Sequence, residues 1–131
     1  RRDFATDDPG VSPVLAQVRQ RWLARIAEGD LAESDSLDLL DAYGIATPSR
    51  RLSRSREDAC LAAAAIGFPV VLKTAEHGIA HKTEAGGVHL DLRDGAAVAA
   101  AYDDLARRLG PAVLVQEMVG KGVEAALGAV N

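Results

Sequence analysis

Twice in this chain an alanine-rich helical segment stops at a glycine, and a β-branched run follows at once. The segment "ACLAAAAIG" ends at Gly67 and leads into "FPVVLKT", while a helical segment that begins at Asp94 is stopped by Gly110 before "AVLVQEM". Glycine commonly ends helices because it adopts positive φ without steric cost, and β-branched residues favour strands. This alternation predicts an α/β domain built on a small sheet.

From residue 50 onward the pattern predicts the order βαββαββ. The expected strands are residues 50–53 and the runs "FPVVLKT", "VHLDL", "AVLVQEM" and "EAALGAV". Apolar and polar residues alternate in "VHLDL", which predicts a strand with one buried face. Ser55 and Asp94 are the expected N-caps of the two helices between these strands.

Two more helices are expected before residue 50. Ser12 and Pro13 have the composition of an N-cap and a first helical position, so a helix is predicted over 13–28, and a second over 32–43. We expect residues 1–31 to form a linker and a leading helix, and residues 32–131 to form the main domain. The chain does not begin with methionine and ends in "LGAVN" without a helix terminator, so we expect a fragment of a longer protein.

Composition narrows the class of protein. With 131 residues, 48% hydrophobic and 26% charged, the chain has the profile of one globular domain. Its net charge of −4 gives no basic field for nucleic acid. Long apolar runs and a secretion signal are both missing from the sequence, so we expect no membrane partner and a cytoplasmic location. The single cysteine, Cys60, excludes an internal disulfide and is expected to be buried in its helix.

The stretch "HKTEAGGV", residues 81–88, is the first candidate for chemistry. It follows Lys73, which a strand end could direct toward a phosphate or simply into water. Gly86 and Gly87 would let backbone N–H groups approach an anion, or would only make a turn. Neither a GxxxxGK[ST] nor a GxGxxG pattern is present, so His81 and Lys82 could equally be solvated loop residues.

A second candidate lies around "QEMVGKGVE". Glu117 ends a predicted strand, and the backbone of Met118 and Val119 could turn outward to read the edge of an adenine. Glu124, seven residues after Glu117, could accept hydrogen bonds from ribose hydroxyls or could open an ordinary hairpin strand.

A metal–histidine site is not predicted. The three histidines, at 77, 81 and 89, do not show the His-x-x-His or His-x-x-x-His spacing that one element would need. His89 is expected on the polar face of its strand.

The order "IGFPVVLK", "HKTEAGGV", "VLVQEMVGKGVE", preceded by "LLDAYGIATP", resembles the ATP-grasp domain of the NDP-forming (ADP-forming) acyl-CoA synthetases over about residues 32–131. One departure is Ala32, where a capping Ser or Thr would be expected. The resemblance implies an ATP-grasp N-terminal subdomain: a small, mostly antiparallel sheet flanked by helices, here with an extra leading helix.

The resemblance also implies roles for individual residues. His81 matches a histidine implicated in passing phosphate between nucleotide and acyl sites, which suits imidazole chemistry near neutral pH. The other matched positions would bind nucleotide: phosphates at Lys73, Lys82, Gly86, Gly87 and Val88, adenine at Glu117, Met118 and Val119, and ribose at Glu124.

The implied parent reaction converts acyl-CoA, ADP and phosphate to acid, CoA and ATP through phosphohistidine. ATP or ADP and Mg²⁺ are the implied cofactors, with the magnesium ligands in a later lobe outside residues 1–131. CoA-binding domains of the same or a partner chain are implied, and self-association through the surface that would face the later lobe is possible. This segment alone is expected to be inactive. Two alternatives stay open: another ATP-grasp ligase, of succinyl-CoA synthetase β-type or carboxylase type, and a regulatory nucleotide-binding module of an acetyltransferase fusion.

Overall fold

The computed structural model describes residues 13–79 and 82–122. The chain divides into two compact units, residues 1–47 and 48–131, and each is described by itself. The predicted boundary near residue 32 lies inside the first unit and stays a prediction.

The first unit contains two helices, α1 (Pro13–Ala27) and α2 (Glu33–Ala42). Both were predicted within one or two residues. Ala32 cannot cap α2 with its own side chain, and the Asp35 carboxylate instead accepts the Ala32 N–H at 3.3 Å. The Asp35 carboxylate also accepts a hydrogen bond from Arg25 Nη2 at 2.7 Å, and this ion pair connects the end of α1 to the start of α2.

The second unit has the order β1 (Arg50–Ser53), α3 (Arg56–Ile66), β2 (Val70–Thr74), β3 (Val88–Leu92), α4 (Gly95–Arg108) and β4 (Val113–Glu117). The four strands form one sheet in the order β1-β4-β2-β3, and every neighbouring pair is antiparallel. This confirms the predicted α/β class and antiparallel sheet. The further strand predicted at "EAALGAV" lies outside the described residues.

The two helices of this unit begin at the predicted N-caps. The Ser55 hydroxyl accepts the Asp58 N–H at 3.1 Å, and Asp94 Oδ1 accepts the Ala97 N–H at 2.8 Å. Each side chain therefore satisfies one of the N–H groups that a helix leaves unpaired at its start.

The core lies between one face of the sheet and the two helices. Alanines of α3 allow it to approach α4 closely, and the strands contribute alternate residues, as a period of two requires. The buried cluster consists of Ala59, Ala62, Ala63, Val70, Leu72, Leu92, Val98, Ala101, Tyr102, Leu105, Val113 and Val115. Cys60 is only half-buried beside this core, where its Sγ lies 3.6 Å from Gly95 O.

The prediction that β3 has one buried apolar face is wrong. In β3 the alternation predicted a buried apolar face, but Leu90 is 63% exposed and only Leu92 is buried. The register with β2 shifts between Val70 and Leu72, and Asp91 takes a φ of +55°. A bulge of this kind breaks the alternation of side chains, so the apolar positions of β3 do not share one face.

Within the described residues, none of the helices combines the length and apolar character needed to cross a membrane.

Candidate functional site

Lys73 lies on β2, between Leu114 of β4 and Val88 of β3. The helices α3 and α4 pack against the sheet face that carries Val70 and Leu72. Side chains alternate along a strand, so Lys73 lies on the other face. We call this opposite side, with Val71, Lys73, Leu114 and Gln116, the second face. Lys73 is half-buried there, one residue before the end of the strand.

The connection between β2 and β3 is hydrogen-bonded to Thr74, the last residue of β2, whose side chain is wholly buried. The Thr74 N–H donates to Gly87 O at 2.8 Å, and the Thr74 hydroxyl accepts the Glu76 N–H at 3.3 Å. A Cβ added to Gly87 would lie 2.7 Å from Thr74 Cγ2 and 3.0 Å from Lys82 O. Only glycine fits this position without movement of its neighbours.

The two glycine N–H groups bond within their own loop, as the turn alternative expects, and the anion-binding alternative stays a prediction. Gly86 N–H donates to Thr83 O at 3.1 Å and Gly87 N–H donates to Lys82 O at 2.6 Å. Both donors are thus used inside the segment Lys82–Gly87, which we call the glycine loop, and neither is available to an anion in this conformation. Gly86 is needed for its φ of +65°, and Gly87 for the lack of a side chain.

The first residues after β2 are hydrogen-bonded to the segment before β4. Glu76 Oε1 accepts the Ala112 N–H at 2.8 Å, and Ala75 N–H donates to Ala112 O at 2.8 Å. Glu76 packs so closely on Gly110 that a Cβ there would lie 2.5 Å from Oε1. Sequence analysis missed Glu76, because its partner is 36 residues away and no local pattern predicts the contact.

The second candidate region lies where β4 ends. Glu117 exchanges two hydrogen bonds with Ser49, through its N–H at 2.8 Å and its carboxylate at 3.2 Å. The N–H of Met118 donates to Pro69 O at 3.3 Å, and the reading of adenine by the backbone of Met118 and Val119 stays a prediction. Val119 follows and is 62% exposed.

These two regions lie at opposite ends of β2. Lys73 is paired with Leu114, whereas Val70 is paired with Glu117. Three residues of extended strand separate the two ends by about 10 Å. Between them, on the second face, the Gln116 Oε1 atom is shielded from solvent and has no hydrogen-bond partner in the described part of the chain. A buried acceptor of this kind normally has a partner, so we expect one to come from elsewhere.

The structure brings Lys73, Val88 and the glycine loop together, since Val88 pairs with Lys73 and directly follows Gly87. Two predicted residues, His81 and Glu124, lie outside the described residues.

His89 was expected on the polar face of its strand, and it lies beside Asp104 of α4. It is half-buried, and its Nε2 lies 3.0 Å from Asp104 Oδ2. Sequence analysis missed Asp104 and Arg108, although their spacing on one helix face predicts an ion pair.

A magnesium site was tested against the side chains present. Over residues 13–79 and 82–122, His, Cys, Asp and Glu side chains do not come together in any group of three that could hold a metal ion. The described residues therefore do not fit a complete magnesium site.

The chain matches the ATP-grasp domain family over residues 23–131. It is 35% identical over 107 residues to 4-hydroxybutyrate–CoA ligase [ADP-forming] of Nitrosopumilus maritimus, covering 76% of this chain and 15% of that protein. It is also 29% identical over 116 residues to the β subunit of acetate–CoA ligase [ADP-forming] I of Pyrococcus furiosus, covering 82% of this chain and 50% of the subunit.

The fold is similar to a solved acetyl-coenzyme A synthetase 1 of Ca. Korarchaeum cryptofilum, described as dinucleotide forming, in complex with coenzyme A and Ca-AMPCP. The TM-score is 0.69 at 33% identity, covering 79% of this chain and 50% of that one. Another complex of that protein holds coenzyme A and Mg-AMPPCP, with a phosphohistidine segment pointing towards the nucleotide binding site; there the TM-score is 0.67 at 32% identity, covering 81% and 47%. The chain spans at most half the length of these relatives. With the match over residues 23–131, the α/β fold and the similarity to ADP-forming CoA ligases, the chain belongs to the ATP-grasp family.

Proposed function

We propose that this chain is the nucleotide-binding part of an ADP-forming acid–CoA ligase. The observation that carries the proposal is the arrangement along β2 in an ATP-grasp chain. Lys73 and the glycine loop lie at one end of the strand, and the exit of β4 lies at the other. A nucleotide that reaches both ends of β2 would place its phosphates at the first end and its adenine at the second, past Val71 and Leu114, which are buried.

Each end offers suitable chemistry. The phosphates would contact the ammonium groups of Lys73 and Lys82. The backbone of Gly86, Gly87 and Val88 would lie beside them, and the Gly86 and Gly87 N–H groups would have to leave Thr83 O and Lys82 O to donate to a phosphate. Adenine would lie against Glu117, Met118 and Val119, at the exit of β4. Ribose would bind Glu124.

The reaction we propose moves one phosphoryl group in two steps. An imidazole nitrogen of His81 attacks the γ-phosphorus of ATP, the bond from phosphorus to the β,γ-bridging oxygen breaks, and ADP leaves. A carboxylate oxygen of the acid then attacks the phosphorus of the phosphohistidine, the P–N bond breaks, and the free imidazole and an acyl phosphate result. The CoA thiolate attacks the acyl carbon of the acyl phosphate, the bond from that carbon to the phosphate oxygen breaks, and acyl-CoA and phosphate are released. In the opposite direction the same steps make ATP from acyl-CoA, ADP and phosphate.

The remaining parts of such an enzyme would be supplied outside residues 1–131. These are CoA-binding domains, in the same or a partner chain, and the ligands for Mg²⁺, which neutralises phosphate charge when bound. The similar acetyl-coenzyme A synthetase 1 of Ca. Korarchaeum cryptofilum holds coenzyme A, in one structure together with Mg-AMPPCP, which supports this division.

Labelling with γ-³²P-ATP tests the proposal in the complete protein. We expect acid-labile, base-stable label on the wild type and on the control His77→Ala. His77 is the matched control because it is an exposed histidine of the connection between β2 and β3. His81→Ala should still bind ATP but take no label and give no turnover. Full turnover by His81→Ala would contradict the proposed role of His81.

A further inference from the structure

A single arginine of α4 is hydrogen-bonded to the glycine loop. Arg108, the last residue of the helix, donates from Nη2 to Gly86 O at 2.7 Å. Its Nη1 also lies 3.4 Å from Ala85 O. The hydrogen bond from Gly87 N–H to Lys82 O closes the glycine loop. A contact at the Gly86 carbonyl therefore restrains the position of the whole loop.

The guanidinium of Arg108 is itself held in place. Asp104, one helical turn earlier, accepts Arg108 Nε at 2.9 Å on Oδ1 and Nη2 at 2.6 Å on Oδ2. The same Oδ2 lies 3.0 Å from Nε2 of His89 on β3. A bidentate arginine–carboxylate pair fixes the plane of the guanidinium, and its remaining N–H groups are then aimed at the loop.

The chain of contacts connects two elements to one loop. His89 ties Asp104 to the sheet, Asp104 orients Arg108, and Arg108 bonds the Gly86 carbonyl. All three side chains are about one third exposed, with fractions of 34%, 30% and 34% for His89, Asp104 and Arg108. Because Arg108 is exposed, its bidentate geometry, and not shelter from solvent, is what restrains its guanidinium.

We propose that Arg108, oriented by Asp104, is a positioning residue that sets the glycine loop for phosphoryl transfer. The proposal rests on the function proposed above, because the loop is where the phosphates would bind. Arg108 touches backbone carbonyls of the loop and so acts through the loop. Small errors in the placement of reacting groups lower rates strongly, so losing this contact should lower the transfer rate more than ATP affinity.

The test compares Arg108→Gln with Arg107→Gln in the complete protein. Arg107 donates to the same Asp104 at 3.1 Å, but in the described part of the chain it makes no contact with the loop. For Arg108→Gln we expect amide exchange of Gly86 and Gly87 to accelerate by tenfold or more, a rough figure for loss of a charged hydrogen bond. We expect the single-turnover rate of labelling by γ-³²P-ATP to fall by about as much, with ATP affinity changed less than about threefold.

Arg107→Gln should match the wild type in exchange and labelling. Arg108→Lys keeps the charge but lacks the planar fork, so it should keep the overall melting temperature and recover only part of the labelling rate. The proposal is wrong if Arg108→Gln and Arg108→Lys both label at the wild-type rate, or if Gly86 and Gly87 exchange unchanged in them. A wild type that takes no label would instead refute the proposed function, and the exchange data would then decide whether Arg108 holds the loop.

Discussion

Gly87 is the residue whose identity the structure explains most directly. In Gly87→Ala the new Cβ would lie 2.7 Å from Thr74 Cγ2 and 3.0 Å from the Lys82 carbonyl oxygen. Thr74 is wholly buried and cannot move away cheaply. We expect a loss of about 1–3 kcal/mol in the free energy of unfolding, the range for overpacking. Urea unfolding measures it, with Gly95→Ala as control, because a Cβ at Gly95 meets nothing within 4 Å. Equal stability of the two variants would contradict the packing described here.

Asp104 carries the clearest pH prediction. The hydrogen bond from Arg108, and then that from His89, hold the pKa of Asp104 well below its ordinary value, while partial burial opposes the shift. A carboxylate with a lowered folded-state pKa stabilises the fold above its unfolded pKa, about 4, and loses that contribution only as pH falls through the folded value. The Asp104 contacts should therefore persist through mildly acidic pH and be lost only in strong acid.

Carbon-detected NMR titration of the Asp104 carboxyl group follows this pKa. In Arg108→Gln, which removes the largest cause of the shift, the pKa should rise toward the ordinary range. An Asp104 that titrates near pH 4 in the wild-type protein would show that the ion pair does not form in solution.

At the scale of elements, the N-caps of α3 and α4 are set by local sequence. Asp94→Ala removes the acceptor for the Ala97 N–H, and we expect it to lower the free energy of unfolding by about 1 kcal/mol. Asp94→Asn keeps an oxygen that can cap the helix, so it should be nearly neutral. Thermal unfolding of both variants makes the comparison, and equal losses would mean that the cap contributes through charge alone.

The same distinction between local and distant contacts explains which elements were predicted. Gly67, Gly110 and the caps are local signals, so the described helices and strands were located within one or two residues. The exposed face of β3 was not predicted, because the shift at Asp91 depends on pairing with β2. In the glycine loop the glycines were identified, but their N–H partners and the contact with Arg108 depend on tertiary structure.

At the scale of the whole molecule, we expect that residues 1–131 alone do not make acyl-CoA. In the described residues the site consists of one sheet face with a loop and includes no group of three residues for a metal. Phosphoryl transfer requires positioning and charge neutralisation, and an incompletely covered adenine gains little from burial. ATP should bind this segment with a Kd on the order of millimolar, about −4 kcal/mol. Amide NMR shifts during ATP titration measure it, and micromolar, magnesium-dependent binding would show that the metal ligands or the domain boundary are misplaced.

The central claim, that ATP phosphates meet the second face of the sheet at Lys73, is tested most directly by calorimetry of ATP binding to the complete protein and to Lys73→Ala. The matched control is Arg51→Ala, which removes an exposed cation from edge strand β1, paired with Val115 and therefore on the other face. We predict that Lys73→Ala loses about 1.5–3 kcal/mol of binding free energy, the range for a charged hydrogen bond, while Arg51→Ala binds as the wild type does. Unchanged affinity in Lys73→Ala would contradict the claim.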